Sequence, residues 1–266
     1  MQSDDQRKAY AHAAQPPNAE AMERDPQALA FHENGEYKVD YQDIELGGHT
    51  YFLPNYAIQR PAVRRFLNGR YHEPEMHRLV EKFFQKVSGS MIHAGTFFGD
   101  MLPSFSQNVS GTVYAFEPVL ENFVLAKLTV EKNNLSNVIL NNCALSDKFT
   151  NLKINTTEVG HKHAGGSSKI ADSGSICAAV PIDILKDEEI VLLHLDIEGH
   201  ELAALKGAIR TLKKCRPVVV IEDRKKNCAP FLERRDYQAI AHFPDLTIWV
   251  PTENETYRRT IIGAVG

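Results

Sequence analysis

Several things are missing from these 266 residues, and each absence narrows the field. No apolar run approaches the ~20 residues that span a bilayer, so no membrane span is expected. The opening stretch MQSDDQRKAYAHAAQPPNAE holds no apolar segment of the kind a secretory signal needs. Cys143, Cys177, Cys215 and Cys228 show neither CxxC nor CxxxH spacing, so structural thiols are expected in place of a zinc site or disulfide framework. Basic excess is missing too. The formal charge of −4 gives no electrostatic case for nucleic acid or an anionic membrane as the main partner. The expectation is a reduced, cytoplasmic protein of ordinary globular composition, long enough for one sizeable α/β domain with an appendage.

Residues 1–30 are polar and rich in Ala, Gln and Pro without a period, which predicts a mobile arm. An extension over 31–74 follows, where YKVDYQDIELGGHTYFLP alternates as a hairpin turning at Gly47-Gly48. The main domain is expected over 75–266. Its first helix, PEMHRLVEKFFQKV, sets Met76, Leu79, Val80, Phe83 and Phe84 on one face behind Pro74. Near-continuous apolar strands come next: SMIHAG, GTVYAFEP, NVILNNCAL, EIVLLHLDIEG and RPVVVIED. Helical stretches join them, GDMLPSFSQN, VLENFVLAKLTVEKNN and HELAALKGAIRTLKK, the second with Leu120, Phe123, Val124, Leu128 and Val130 as its apolar side. The pattern predicts a mostly parallel sheet with helices on both faces. Tyr237–His242, Leu246–Val250 and Thr260–Ala264 are expected to finish it as an antiparallel C-terminal edge. The helix due between Asp147 and Asp183 is absent. Two strand-like pieces, NLKINTT and SICAAVPIDI, flank the segment EVGHKHAGGSSKIADSG there, either a functional flap or a disordered one, with His161 and His163 as solvated loop residues.

Open parallel sheets bind ligands outside the carboxyl ends of their strands. After the first strand, HAGTFFGD spaces Gly95 and Gly99 to allow a tight turn and a close backbone approach. Glu117 ends the second strand and suits both hydroxyls of a ribose; its plainer role is to cap the next helix. The third strand runs into CALSD, where Asp147 or the Ser146 backbone can meet an adenine edge, unless Asp147 is a simple turn residue. Thr96, Phe97 and Phe98 crowd a pyrophosphate, which favours the phosphate-free S-adenosylmethionine over NAD.

With these residues the chain resembles the FkbM family of S-adenosylmethionine-dependent methyltransferases, of the class I Rossmann-like fold. MIHAGTFFGD, VYAFEP, EKNNLSNV, NCALSD, PIDIL and above all LDIEGHELAALKGA carry the resemblance, from about Tyr71 to Asp223. It implies cofactor contacts from Gly95, Glu117 and Asp147, and from Tyr71 and Glu73 in RYHEPE, a stretch that otherwise reads as a helix-start turn. The neighbouring positions His93, Thr96, Phe97, Gly99, Asp100, Pro118, Ala144 and Ser146 are expected on the same wall. Members commonly carry Asp where His93 stands and Lys where His194 stands.

LDIEGHE also brings Asp196, Glu198 and His200 out of the fourth strand toward the same crevice. Methyl transfer to an alcohol needs alignment and a base for the leaving proton, so these three are the catalytic candidates, joined by Glu222 as an acceptor-positioning residue. Capping of the following helix is the plainer use of Asp196 and Glu198. Glu201 is expected on the first helical turn as a dipole partner. Asp196, Glu222 and Asp223 are similar to the acids that bind magnesium in macrocin-type sugar O-methyltransferases, so Mg²⁺ is weighed as a second cofactor. The resemblance implies O-methylation of a hydroxyl on a sugar, glycan or natural-product scaffold. The alternative is a degenerate, non-catalytic cofactor- or glycan-binding module, suggested by His93.

Overall fold

The structure is a computed structural model that describes residues 30–31, 37–158, 162–185 and 188–265. Most of the expected arm, and His161, lie outside the described residues. Strands β1 (Ala30–Phe31) and β2 (Tyr37–Lys38) form a short antiparallel pair. Strands β3 (Tyr41–Leu46) and β4 (His49–Pro54) form the hairpin turning at Gly47-Gly48. Two helices follow, α1 (Pro61–Leu67) and α2 (Pro74–Phe84). Met76, Leu79, Val80, Phe83 and Phe84 of α2 are all buried, as the spacing requires.

The main sheet then begins with β5 (Ser90–Ala94), α3 (Leu102–Asn108), β6 (Val113–Phe116), α4 (Leu120–Lys132) and β7 (Val138–Asn141). A second, four-stranded sheet follows, built from β8 (Ala144–Leu145), β9 (Thr150–Asn155), β10 (Lys169–Ala171) and β11 (Ser175–Val180) in the order β10-β9-β11-β8. The chain returns through β12 (Ile190–Leu195), α5 (Glu201–Lys206), α6 (Ile209–Lys214), β13 (Val218–Ile221), α7 (Ala229–Glu233), β14 (Tyr237–His242), β15 (Thr247–Pro251) and α8 (Glu255–Val265).

The seven main strands order as β14-β15-β13-β12-β5-β6-β7, with β14 and β15 antiparallel at the edge. Every residue of β5, β6, β12 and β13 is buried, which is why these strands read as near-continuous apolar runs. Helices α2, α3 and α8 cover one face; α5, α6 and α7 cover the other. Sequence order reverses between β5 and β12, which makes that junction the switch point.

Four local expectations are corrected. NVILNNCAL is two strands in two sheets, because β8 leaves β7 to pair with β11. HELAALKGAIRTLKK breaks at Gly207, where a Cβ would lie 2.0 Å from the Ser146 carbonyl oxygen. Asp183 caps α6, taking the backbone N–H groups of Arg210 and Thr211 at 2.8 Å each. Residues 260–264 are helical: the Asn254 side chain accepts the Tyr257 N–H at 3.0 Å, and Ile261 and Ala264 pack into the core. Finally, α4 buries Asn122, Leu125, Ala126 and Thr129, while Leu120 is exposed. That helix is apolar on nearly every side, so its pattern did not single out the buried face.

Candidate functional site

The strand ends at the switch point open into two adjoining cavities. The smaller is lined by Glu117, Pro118, Ala144, Ser168, Ile170 and His200 among others. The larger holds about 1120 Å³ and takes in Glu73, His93, Phe97, Asp100, His194, Glu222 and Arg224. Gly95, Gly166, Asp196 and Glu198 belong to both walls. The junction requires glycine at 95: its φ is +88°, and a Cβ would stand 1.8 Å from the Asp196 carbonyl oxygen.

Glu117 fastens the two loops that frame the smaller cavity. One carboxylate oxygen accepts the Phe97 N–H at 2.8 Å; the other accepts the Val119 N–H at 2.9 Å and the Asn122 side-chain amide at 3.4 Å. Glu117 thus ties down the residue before α4 without taking a backbone N–H of its first turn, and it lines the cavity. Burial pushes its pKa up to about 8 against the pull of those hydrogen bonds.

Carboxylates gather in the larger cavity. Burial first, then Glu222, Glu73 and Glu198, hold Asp196 well above the usual carboxylate range. Burial likewise brings Glu73 and Asp100 to about 7. Arg224 bridges the ends of β12 and β13, donating to Glu222 at 2.7 Å and to Glu198 at 2.9 Å. Lys225 donates to the Gly199 carbonyl at 2.7 Å and so helps hold the turn after β12. Glu201 begins α5 as expected and accepts the N–H groups of Ile197 and Gly199 at 3.2 and 2.9 Å, closing the loop that presents Asp196 and Glu198. Glu222 Oε2, Glu73 Oε2 and the Nε2 atoms of His93 and His194 are buried without a hydrogen-bond partner. Such groups cost free energy until something fills their valences.

His93 and His194 are cross-strand neighbours in β5 and β12, with Nδ1 atoms 3.0 Å apart. Burial pushes both imidazoles down, His194 to about 3, so both are neutral and one donates to the other. The two positions that depart from the family pattern thus pair through Nδ1, while both Nε2 atoms stay without a partner.

The structure does not bring every expected residue to a cavity wall. Thr96 is buried and turns its hydroxyl to the Phe116 carbonyl at 3.3 Å. Gly99 faces Ala126 of α4, and Tyr71 packs on Phe66 and under Gly47. Ser146 is buried behind the wall, giving its N–H to the Val180 carbonyl at 2.9 Å, and Asp147 is exposed outside it. His200 lines the smaller cavity and not the larger, and sits 3.1 Å from the Ser146 hydroxyl. Asp223 turns its carboxylate back to the N–H groups of Asn227, Cys228 and Ala229 at 3.0 to 3.3 Å. The acid triad weighed for Mg²⁺ therefore does not converge, and among the described residues no group of three metal-ligating side chains forms. His163 is buried, 2.8 Å from Glu121, and is not a solvated loop residue.

Asn122, Arg224 and the flap residues Gly165, Gly166, Ser168 and Ile170 were not anticipated. Asn122 had a faint signal: it falls in register with Leu125, Ala126 and Thr129 at helical spacing. Arg224 had none, since a charged run after a strand usually stays in solvent.

A model of the methyltransferase FkbM domain matches residues 93–243, more than half of the chain. No curated protein sequence matches it. Among solved structures, the methyltransferase FkbM of Methylobacillus flagellatus KT is similar at 21% identity, TM-score 0.46, covering 74% of this chain and 55% of that one. A methyltransferase of Geobacter sulfurreducens is similar at 13% identity, TM-score 0.44, covering 94% of this chain and 98% of that one. A SAM-dependent methyltransferase of Aquifex aeolicus is similar at 19% identity, TM-score 0.38, covering 67% and 92% respectively.

Proposed function

The chain belongs to the FkbM methyltransferase family, and from that premise we propose that it moves a methyl group from S-adenosylmethionine to a hydroxyl of a sugar, glycan or natural-product scaffold. One observation carries the reading: a cavity holding Glu117 opens, across Gly95, into a larger cavity, with Asp196 on the wall of both. In this reading adenosine takes the smaller space, with its ribose hydroxyls on Glu117. The amino-acid end of the donor then reaches past Gly95 toward His93, Asp100 and Glu73. This route directs the sulfonium methyl to the Asp196 corner.

Displacement at that methyl asks the protein mainly for alignment. Asp196, kept well above the ordinary carboxylate pKa, is basic enough when ionised to take the acceptor's proton as the new bond forms. Glu222, fixed by Arg224 through one oxygen and free at the other, suits a second acceptor hydroxyl. The extension over 31–74 serves as the acceptor-side cover, since Arg60, Arg65, His72 and Glu73 wall the larger cavity. The alternative, a non-catalytic binding module, would bind the donor and label no acceptor. Incubation with methyl-labelled donor and a panel of polyhydroxylated acceptors tests the proposal. Label in a hydroxyl ether supports it; label in an amine, or none across acceptors despite donor binding, speaks against it.

A further inference from the structure

The flap is wired to the residue that would hold the donor. Asn122, on the first turn of α4, is 1% exposed and joins three elements. Its side-chain carbonyl accepts the Tyr56 hydroxyl at 2.9 Å. Its amide nitrogen faces two acceptors, Glu117 Oε1 at 3.4 Å and the Gly165 carbonyl at 3.3 Å. An amide carries two N–H bonds, so both contacts can form together. A second connection runs through Phe97, whose N–H holds Glu117 and whose ring lies against Gly165 and Gly166.

That flap is itself cavity wall. Gly165, Gly166, Ser168 and Ile170 border the smaller cavity, and Gly166 and Ser167 the larger. Outside, it is tied to the N-terminal extension: Gln59 donates to the His163 carbonyl at 2.9 Å, and Arg60 binds Glu158 at 2.6 Å and the Ser167 hydroxyl. From the far side, Lys169 reaches Glu198 at 3.7 Å. Glu117 and the flap are therefore two ends of one short hydrogen-bonded chain, with the Asn122 amide as its middle link.

We propose that Asn122 is a positioning residue that couples donor binding to flap closure, so that a ribose engaging Glu117 locks residues 163–171 over the adenosine. This inference rests on the donor reading above. Asn122→Asp is nearly isosteric and leaves an oxygen for Tyr56, but it removes the N–H groups that reach Glu117 and Gly165. Tyr56→Phe removes only the opposite bond and serves as the comparison.

The test combines calorimetry with backbone hydrogen exchange, using S-adenosylhomocysteine as the probe. In the wild-type protein, saturating S-adenosylhomocysteine is expected to slow exchange over 163–171 by about tenfold or more. In N122D its affinity is expected to fall about tenfold, as for loss of one hydrogen bond to a charged group. The slowing should vanish in N122D even at saturation, whereas Y56F keeps it. Equal exchange in β14 and β15 across all three proteins would show that the fold is intact. If S-adenosylhomocysteine does not bind the wild-type protein, the donor reading falls and this inference with it. If it binds, two results overturn the coupling alone: no slowing over 163–171 in the wild-type protein, or equal slowing in wild type and N122D.

Discussion

His93 and His194 meet Nδ1 to Nδ1 at 3.0 Å across β5 and β12, their rings parallel within 3° and both edge-on to Phe105. A neutral pair of this kind behaves as one unit, because one Nδ1–H must face one lone pair. His93→Leu or His194→Leu alone strands the partner's Nδ1, at a cost of about 1–3 kcal/mol. The double variant strands neither and should cost less than the sum of the singles. Denaturant unfolding of the four proteins measures the coupling; strict additivity would show that the pair is incidental.

The carboxyl cluster sets a pH dependence. Burial holds Glu73 and Asp100 at about 7 and Glu117 at about 8, above their unfolded values near 4. A carboxyl raised in this way binds its proton more tightly when folded, so its contribution is complete below ~4 and is lost as pH rises through 7 and 8. The buried histidines are shifted down, and their effect is confined to pH below ~6.5, where the unfolded chain takes up protons. Between pH 6.5 and 8.5 the ligand-free protein should lose stability as pH rises. Melting temperatures across that range check it, and a flat or rising curve would contradict the assigned burial.

Above pH 8, where Glu117 is ionised, Glu117→Ala should weaken S-adenosylhomocysteine binding by on the order of 2 kcal/mol, the value of charge-assisted hydrogen bonds to two hydroxyls. Calorimetry reads this directly. Unchanged affinity would remove Glu117 from the ribose site and leave it a loop fastener only.

Asp196→Asn should spare the fold and lower methyl transfer about 10²-fold or more, the usual contribution of a positioned base. Because the change also removes a buried carboxyl repelled by Glu222 and Glu73, the melting temperature at pH 8 should rise. Wild-type transfer in this variant would refute the base assignment.

Chelation should leave transfer unchanged, since Asp223 spends its carboxylate on the backbone before α7. Loss of activity in EDTA, restored by Mg²⁺, would show that Asp196 and Glu222 recruit a metal without it.

How far the sequence could be read depended on which part of the fold a residue serves. The central strands were legible because burial on both faces leaves them almost wholly apolar, His93 and His194 being the exceptions inside them. Glu117 and Asp196 stood out because ionisable groups end those runs abruptly. Residues 260–264 misled because Thr-Ile-Ile favours strands, and only packing against α2 and an Asn254 cap make them helical. The cavity walls were hardest to foresee. His200 follows the same strand as Asp196, but the turn at Glu198 and Gly199 carries it to the wall of the smaller cavity. Asn122 and the flap glycines act through contacts between distant segments, which no local spacing records.

The most direct test of the account is a crystal structure with S-adenosylhomocysteine. The account predicts the ribose hydroxyls within hydrogen-bonding distance of Glu117, adenine beside Ala144, and the sulfur facing Asp196. A nucleoside bound away from Glu117, or a sulfur turned from the Asp196 corner, would contradict it.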